Sequence, residues 1–313
     1  MNKHRSVTAF APATVANVGC GFDIMGFALK GRGDKVTITL QEGKNNSIIS
    51  MKGKYAVFIP AERHKNTAGV AVDAFLEATG NKGIGVSIML EKNLPLGSGL
   101  GSSASSSAAA VLAVNKLLGS PLTIKELIPF AMEGERVACG SAHADNVAPS
   151  LLGGFVLVRS YNPLDIIQVK CPDELFCAVF HPHIELKTSD ARRILKRDIP
   201  MEDVIRQSAN AAAFMIGILK EDFELMGRSI TDLLAEPKRT QLIPGFDAVK
   251  QAAMDSGALA FGISGSGPSV FALCKGESIA IGMEEIVRKT FYLSGLGSDS
   301  IVSSLNSPGA FIV

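Results

Sequence analysis

The sequence predicts an α+β protein with mostly antiparallel sheets, divided into two parts. Short alternating segments that suit strands are interleaved irregularly with longer helical ones. Apolar residues make up 47% of the 313 residues and charged residues only 19%, which allows a large core and argues against disorder. The pattern breaks around Tyr161–Asp165, and Asn162–Pro163 marks a candidate boundary between residues 1–162 and 163–313.

The first forty residues read as strands and turns. Val36, Ile38 and Leu40 fall on one face of an alternating run from Asp34. A helix is expected over Thr67–Ala78, with Thr67 able to cap it and Gly80 to end it. Ile84, Val86, Ile88 and Leu90 then line one side of a strand. An alanine-rich helix follows over Ser105–Leu118, stopped by Gly119 and Pro121. Thr123–Ile124–Lys125–Glu126 is a capping box that opens the next helix. Gly153–Arg159 reads as a strand. The second half shows strands at Cys177–His181, Ala258–Ile263 and Ser269–Cys274, and helices near Met201–Lys220, Phe246–Ser256 and Ile279–Tyr292.

Charge and composition exclude several classes. A formal net charge of +1 supplies no field for a nucleic acid or an anionic membrane. Met1–Arg5 followed by Ser6–Phe10 is too short and mixed for a signal peptide, and no run of about 18 apolar residues suits a membrane span. Cys20, Cys139, Cys171, Cys177 and Cys274 are odd in number and widely spaced, which suits buried thiols in a reduced, cytoplasmic protein.

The segment Pro95–Leu96–Gly97–Ser98–Gly99–Leu100–Gly101–Ser102–Ser103–Ala104–Ser105 lies between a strand and a helix. Its glycines permit sharp turns and close approach to a ligand, and the helix start behind them aims N–H groups and a positive dipole end at the loop. That combination suits a phosphate. A P-loop would need a lysine that is missing here. A Rossmann turn is matched formally by Gly99, Gly101 and Ala104, but its helix leads into another helix at Thr123 rather than into a second parallel strand. A plain flexible turn explains so many glycines and serines least well.

Glu135 continues the stripe formed by Leu127, Ile128, Ala131 and Met132 and so faces inward. A buried acid must be paired or bind a metal, and on pattern alone the two are equal. Asp23 stands in the otherwise apolar stretch Val15–Leu29 as a turn residue or a ligand group. Arg192 and Arg193 follow a helix start at Thr188–Asp190 and read by default as surface residues. His143 reads as a structural donor in a loop. His181 and His183 lack a third ligand and make a poor zinc site.

The glycine-rich segment resembles the phosphate-binding motif of the GHMP kinases, which include galactokinase, homoserine kinase, mevalonate kinase and phosphomevalonate kinase. Residues 11–23 resemble the family's N-terminal substrate motif in its homoserine-kinase form, and Gly262–Ser269 its C-terminal glycine-rich motif. Gly134–Pro149 is similar to a segment distinctive of the homoserine kinase branch. The resemblance implies an N-terminal α+β nucleotide-binding domain and a C-terminal ferredoxin-like α+β domain with the substrate between them. It implies phosphorylation of L-homoserine by ATP with Mg2+, in threonine biosynthesis, by a homodimer. Residues 95–105 would bind ATP, and Ser103 and Glu135 the magnesium ion. Asn17, Asp23, His143, Asn146, Arg192 and Arg239 would bind the substrate, Asp23 taking its ammonium and the two arginines its carboxylate. Aligned on Gly134–Arg136, the position of the family's aspartate base falls on Asn146, so no carboxylate base is expected. Another GHMP kinase, such as diphosphocytidyl-methylerythritol kinase, or a non-catalytic binding protein of this fold are the alternatives.

Overall fold

The computed structural model describes residues 6–43, 47–140, 143–196 and 198–313, the side chain of Cys139 excepted. Met1–Arg5, the Cys139 thiol and the motif residues Ser141 and Ala142 lie outside the described residues.

The chain runs through β1 (Ser6–Ala16), β2 (Met25–Gln41), β3 (Ser50–Lys52), α1 (Thr67–Ala78), β4 (Gly85–Glu91), α2 (Ser102–Leu117), α3 (Ile128–Cys139), α4 (Ala144–Leu152), β5 (Phe155–Tyr161) and β6 (Leu164–Val169). It continues through β7 (Leu175–Pro182), α5 (Thr188–Arg193), α6 (Met201–Lys220), α7 (Phe223–Ser229), α8 (Glu236–Arg239), α9 (Phe246–Asp255), β8 (Ala260–Ile263), β9 (Val270–Lys275), α10 (Glu277–Gly282), α11 (Glu284–Leu293), β10 (Ser298–Ser304) and β11 (Phe311–Ile312). Among the described residues, β1–β6 and β11 form one sheet, and β10-β7-β9-β8 form another in that order. Every strand pair is antiparallel except β3–β4.

Local signals explain many of the boundaries. Asn66, one residue before the expected cap, closes the start of α1 by accepting from Ala68 N at 3.0 Å. Gly80 follows the end of that helix with φ +71°. The helix α2 begins at Ser102 rather than Ser105, because Gly101 takes the left-handed conformation at its N-cap and lets it start directly from the loop. The capping box forms, with Thr123 N and Oγ1 both donating to Glu126, but it opens a 3-10 turn before α3. The single helix expected over Ile279–Tyr292 is two, broken where Gly282 ends α10 and Met283 turns into the core.

Three apolar layers hold these elements. Val36, Ile38, Val86, Ile88 and Leu90 on the first sheet pack against α1–α4, with the small residues Ala104, Ala108 and Ala109 letting α2 pass through the centre. Phe27, Phe155, Phe214, Met226 and Phe271 fill the space where the first sheet, α6, α7 and the second sheet meet. Phe180, Ala272 and Phe261 on the other face of the second sheet pack against Phe246, Val249, Val287 and Phe291 of α9 and α11.

Asn162–Pro163 is the turn of the β5–β6 hairpin, so the first sheet continues to Val169, beyond the boundary expected at residue 162. A proline break marks a turn equally well inside a sheet or between domains, and only the pairing of β6 with β5 decides. The chain also returns to the first sheet at its end, where β11 pairs with β1.

Candidate active site

Three loops converge above the ends of β1, β4 and β8. In the first, residues 17–23, Asn17, Val18 and Gly19 are consecutively left-handed, as is Asp23. That geometry is strained for a β-branched residue such as Val18 and needs outside support. Asn17 supplies part of it, accepting from Asp23 N at 3.0 Å and donating to Gly265 O at 2.8 Å. The second is the glycine-rich loop, and the third is residues 262–269. Ser264 Oγ donates to Gly99 O at 2.7 Å, Ser269 N to Ser98 O at 3.1 Å, and Gly265 N to Ala16 O at 3.0 Å. The motifs at the start, middle and end of the chain thus form one hydrogen-bonded assembly.

Close approach sets residue choice here. A Cβ on Gly101 would stand 2.0 Å from Thr14 Oγ1 and 2.8 Å from Asn146 Oδ1, and φ at Gly101 is +62°. Thr14 Oγ1 donates to Asn146 Oδ1 at 2.7 Å in that space. A Cβ on Gly26 would meet the Asp145 carbonyl at 1.9 Å, so only glycine lets the start of α4 lie against β2.

The assembly lines a cleft of about 450 Å³. The phosphate-loop glycines, Ser102 and Ser103, with Glu135 from α3, lie along it, as do Asn17, Asp23, His143, Asn146, Arg192 and Arg239. Apart from Ser105, whose buried hydroxyl donates to Ala11 O, every charged or polar side chain expected from the sequence to serve the site borders one cavity. Glu135 is buried, as its helical stripe predicts. His143 and Asn146 are not in a loop: His143 is the N-cap residue of α4, and Asn146 sits in its first turn.

Two arginines and two carboxylates line one part of the cleft. Arg192 forks Asp23, Nη1 to Oδ2 at 3.1 Å and Nη2 to Oδ1 at 2.8 Å. Arg239 is buried and donates through Nη1 to Gly265 O at 2.8 Å. Both guanidiniums lie over the Phe22 ring, at 5.8 and 5.5 Å. The two groups expected to take opposite ends of the substrate thus hold each other in this structure. Tyr161 Oη donates to Asp23 O at 2.8 Å and accepts from Ala144 N at 3.3 Å, tying the hairpin to the site.

Asp145 is the residue that sequence reasoning missed. It is fully buried, and its Oδ1 accepts no hydrogen bond among the described residues. Burial, with the charges of Asp23 and Glu135 added and Arg192 opposing, pushes its carboxyl up to about 8. Standing beside Asn146 in α4, it is mostly protonated at pH 7. Its only signal in the sequence was an acid in the first turn of a helix that the pattern did not reveal. Burial lowers the His143 pKa, against Asp23 and with Arg192, so this imidazole is neutral at pH 7. His181 and His183 serve elsewhere: His181 shares a hydrogen bond with Ser269 at 3.1 Å, and His183 pairs with Asp299 at 3.2 Å.

Residues 66–154 match the family profile of the GHMP kinases N terminal domain, and residues 214–293 that of the GHMP kinases C terminal. The chain belongs to the GHMP kinase family. This GHMP kinase is 51% identical to a homoserine kinase of Chloroherpeton thalassium, over 99% of the chain and 100% of that protein. It is 49% identical to one of Chlorobaculum tepidum, over 99% of the chain and 98% of that protein. The crystal structure of homoserine kinase from Cytophaga hutchinsonii superposes with a TM-score of 0.95 at 46% identity, covering 100% of this chain and 99% of that one. The two-domain fold expected from the motifs is the fold found. A GHMP kinase of this kind is a phosphotransferase that uses ATP to phosphorylate a hydroxyl group.

Buried cysteines accompany this chemistry without joining it. Cys20, Cys171, Cys177 and Cys274 are free and buried, and burial pushes the thiols of Cys20, Cys171 and Cys274 up to about 12. No helix among the described residues is long and apolar enough to cross a membrane.

Proposed function

We propose that this kinase transfers the γ-phosphoryl group of ATP to the side-chain hydroxyl of L-homoserine, giving O-phospho-L-homoserine for threonine biosynthesis in the cytoplasm. The observation that carries this reading is the gathering of two guanidiniums and two carboxylates along one cleft, where Arg192 pairs with Asp23 and Arg239 and Asp145 line the same cavity. An amino acid with a side-chain hydroxyl has a charge for each kind. Mevalonate has no ammonium, and galactose has no charge at all.

Residues 95–105 hold the ATP phosphates through loop amides and the N-terminus of α2. The buried Glu135 carboxylate and the Ser103 hydroxyl are hard oxygen donors bordering the same cavity, and so fit a magnesium ion. When bound, magnesium neutralises charge on the phosphates. Arg192 and Arg239 take the substrate carboxylate, since planar guanidiniums suit bidentate recognition. Its ammonium goes between Asp23 and the open oxygen of Asp145. Asn17 and His143 support this end, Asn17 by bracing Asp23 and His143 as a neutral imidazole 3.8 Å from it. Asn146, braced by Thr14, orients the hydroxyl and takes no proton, because an amide is not a base near neutral pH.

A coupled ADP-release assay with homoserine, mevalonate and galactose, with and without magnesium, tests the reading. Turnover confined to homoserine is the expected result. Faster turnover with another alcohol, or none with any, overturns it.

We also propose a homodimer. The 20-residue α6 exposes Met201, Ile205, Ile216 and Leu219 along its length, an apolar stripe that a second copy would cover. A monomer by light scattering would refute it.

A further inference from the structure

A lysine borders the phosphate end of the cleft, and its obvious reading is that of a phosphate ligand. Lys92 stands just before the glycine-rich loop, and it lines the cavity with Ser102, Ser103 and Ser106. Its surroundings argue otherwise. Lys92 is 2% exposed and Asp34 is 0% exposed. The ammonium donates to Asp34 Oδ2, to Ser102 O at 2.6 Å and to Ser106 Oγ at 2.8 Å. An ammonium has three hydrogens, and all three are used.

The carboxylate on the other side of that pair is equally committed. Asp34 Oδ1 accepts from the backbone N–H groups of Asn93 at 2.8 Å and Leu94 at 3.1 Å, the residues that lead into the loop. Asp34 Oδ2 also accepts from Ser106 Oγ at 2.7 Å. Asp34 N donates to Ser105 Oγ, which donates on to Ala11 O at 2.7 Å. Both ends of the phosphate loop are therefore held by one ion pair. Its beginning hangs on Asp34 through two amides, and its end, the first turns of α2, hangs on Lys92 and Asp34 through Ser102 and Ser106.

We propose that Lys92 is a positioning residue that, with Asp34 and Ser106, fixes the curvature of the phosphate loop and does not itself touch the nucleotide. The inference rests on reading residues 95–105 as the ATP phosphate loop. The loop has left-handed glycines at 97, 99 and 101. Its amides converge on a phosphate only if its two ends keep their separation and angle, and a buried, fully satisfied network is a rigid way to keep them.

The test compares binding of ATP and adenosine by calorimetry, and the kinetic constants, in the full-length enzyme. Wild-type ADP release with homoserine is measured first, so failure of the proposed function is seen separately from failure of the clamp. The mildest variant is Ser106→Ala, which removes one hydroxyl from the network. ATP affinity should fall about 10-fold, the size of one lost hydrogen bond to a charged group. Adenosine affinity and the KM for homoserine should each move less than about twofold, because neither ligand uses the loop amides. Lys92→Met leaves the Asp34 charge buried without its partner and should lose more ATP affinity. Adding Asp34→Asn to it removes that charge and should restore ATP affinity by about 10-fold relative to Lys92→Met alone. Equal ATP affinity in Lys92→Met and the double variant would make Lys92 a phosphate ligand and overturn the proposal. A Ser106→Ala enzyme with lowered Tm but unchanged ATP affinity would overturn it too, by making the network merely structural. If Lys92→Met does not fold, Ser106→Ala and the double variant still decide between these outcomes.

Discussion

Arg192 and Asp23, 169 residues apart, form a bidentate ion pair with both oxygens engaged at 3.1 and 2.8 Å. Asp23 comes from the β1–β2 loop and Arg192 from α5, so the pair also joins the two halves of the chain across the cleft. On the proposed reading, a zwitterionic substrate would satisfy both partners at once by offering its carboxylate to the arginine and its ammonium to the aspartate.

Replacing Arg192 or Arg239 by Ala should raise KM for homoserine by about 10- to 100-fold, since a charge-assisted pair contributes about 1.5–3 kcal/mol. KM for ATP should move much less. Steady-state kinetics with each substrate varied in turn gives both constants, and equal damage to the two would remove the carboxylate assignment.

Ser103→Ala and Glu135→Gln each withdraw an oxygen donor or its charge from the proposed magnesium site. Activity of both variants should fall and should be partly recovered by raising magnesium. A titration of magnesium against rate checks this; curves that overlay the wild type would exclude the role.

Asp145 makes the pH dependence specific. Its carboxyl titrates at about 8 rather than near 3.8, so it is mostly neutral at pH 7 and charged above pH 8. An ammonium is bound by the charged form, so KM for homoserine should fall as pH rises from about 7 to 9, and Asp145→Asn should abolish that fall. Stability runs the opposite way. A raised folded pKa favours the protonated native state, so the contribution is complete below 3.8 and is lost as pH rises through 8. The Tm of the unliganded Asp145→Asn enzyme should therefore exceed that of the wild type by more at pH 9 than at pH 5. Parallel Tm curves would show that Asp145 does not titrate in this range.

No side chain should act as a dedicated base. In a loose phosphoryl-transfer transition state the attacking hydroxyl is little deprotonated, and the γ-phosphate can receive the proton late. Asn146→Ala and His143→Gln should both keep measurable turnover, with the acidic limb of the kcat profile present in each. A loss beyond about 10⁴-fold, the upper range for general-base catalysis, together with loss of that limb in His143→Gln, would identify His143 as the base. The same loss in Asp145→Asn, with KM unchanged, would identify Asp145.

Much of this molecule is determined by neighbours in sequence. The bounds of α1 follow from Asn66 and Gly80, and the inward face of β4 from alternation at Val86, Ile88 and Leu90, because caps and side-chain periods act over a few residues. The glycine-rich loop and the inward-facing Glu135 are legible for the same reason. The motif resemblance carries the family, the fold and the set of residues around the cleft. Tertiary structure alone decides what those residues touch. Asn162–Pro163 has the local chemistry of a boundary, yet it is a hairpin turn because β6 finds β5. Asp23 reads as a waiting ligand, yet it holds Arg192. Lys92 and Asp34 look like ordinary ends of strands, and become a buried clamp only when β2, β4 and α2 meet. Asp145 is an unremarked acid in sequence, and burial, more than the neighbouring charges, moves its titration up to about 8. Electrostatic partners are selected by distance through space in a poorly screening interior, and that distance is set by the packing of the whole chain.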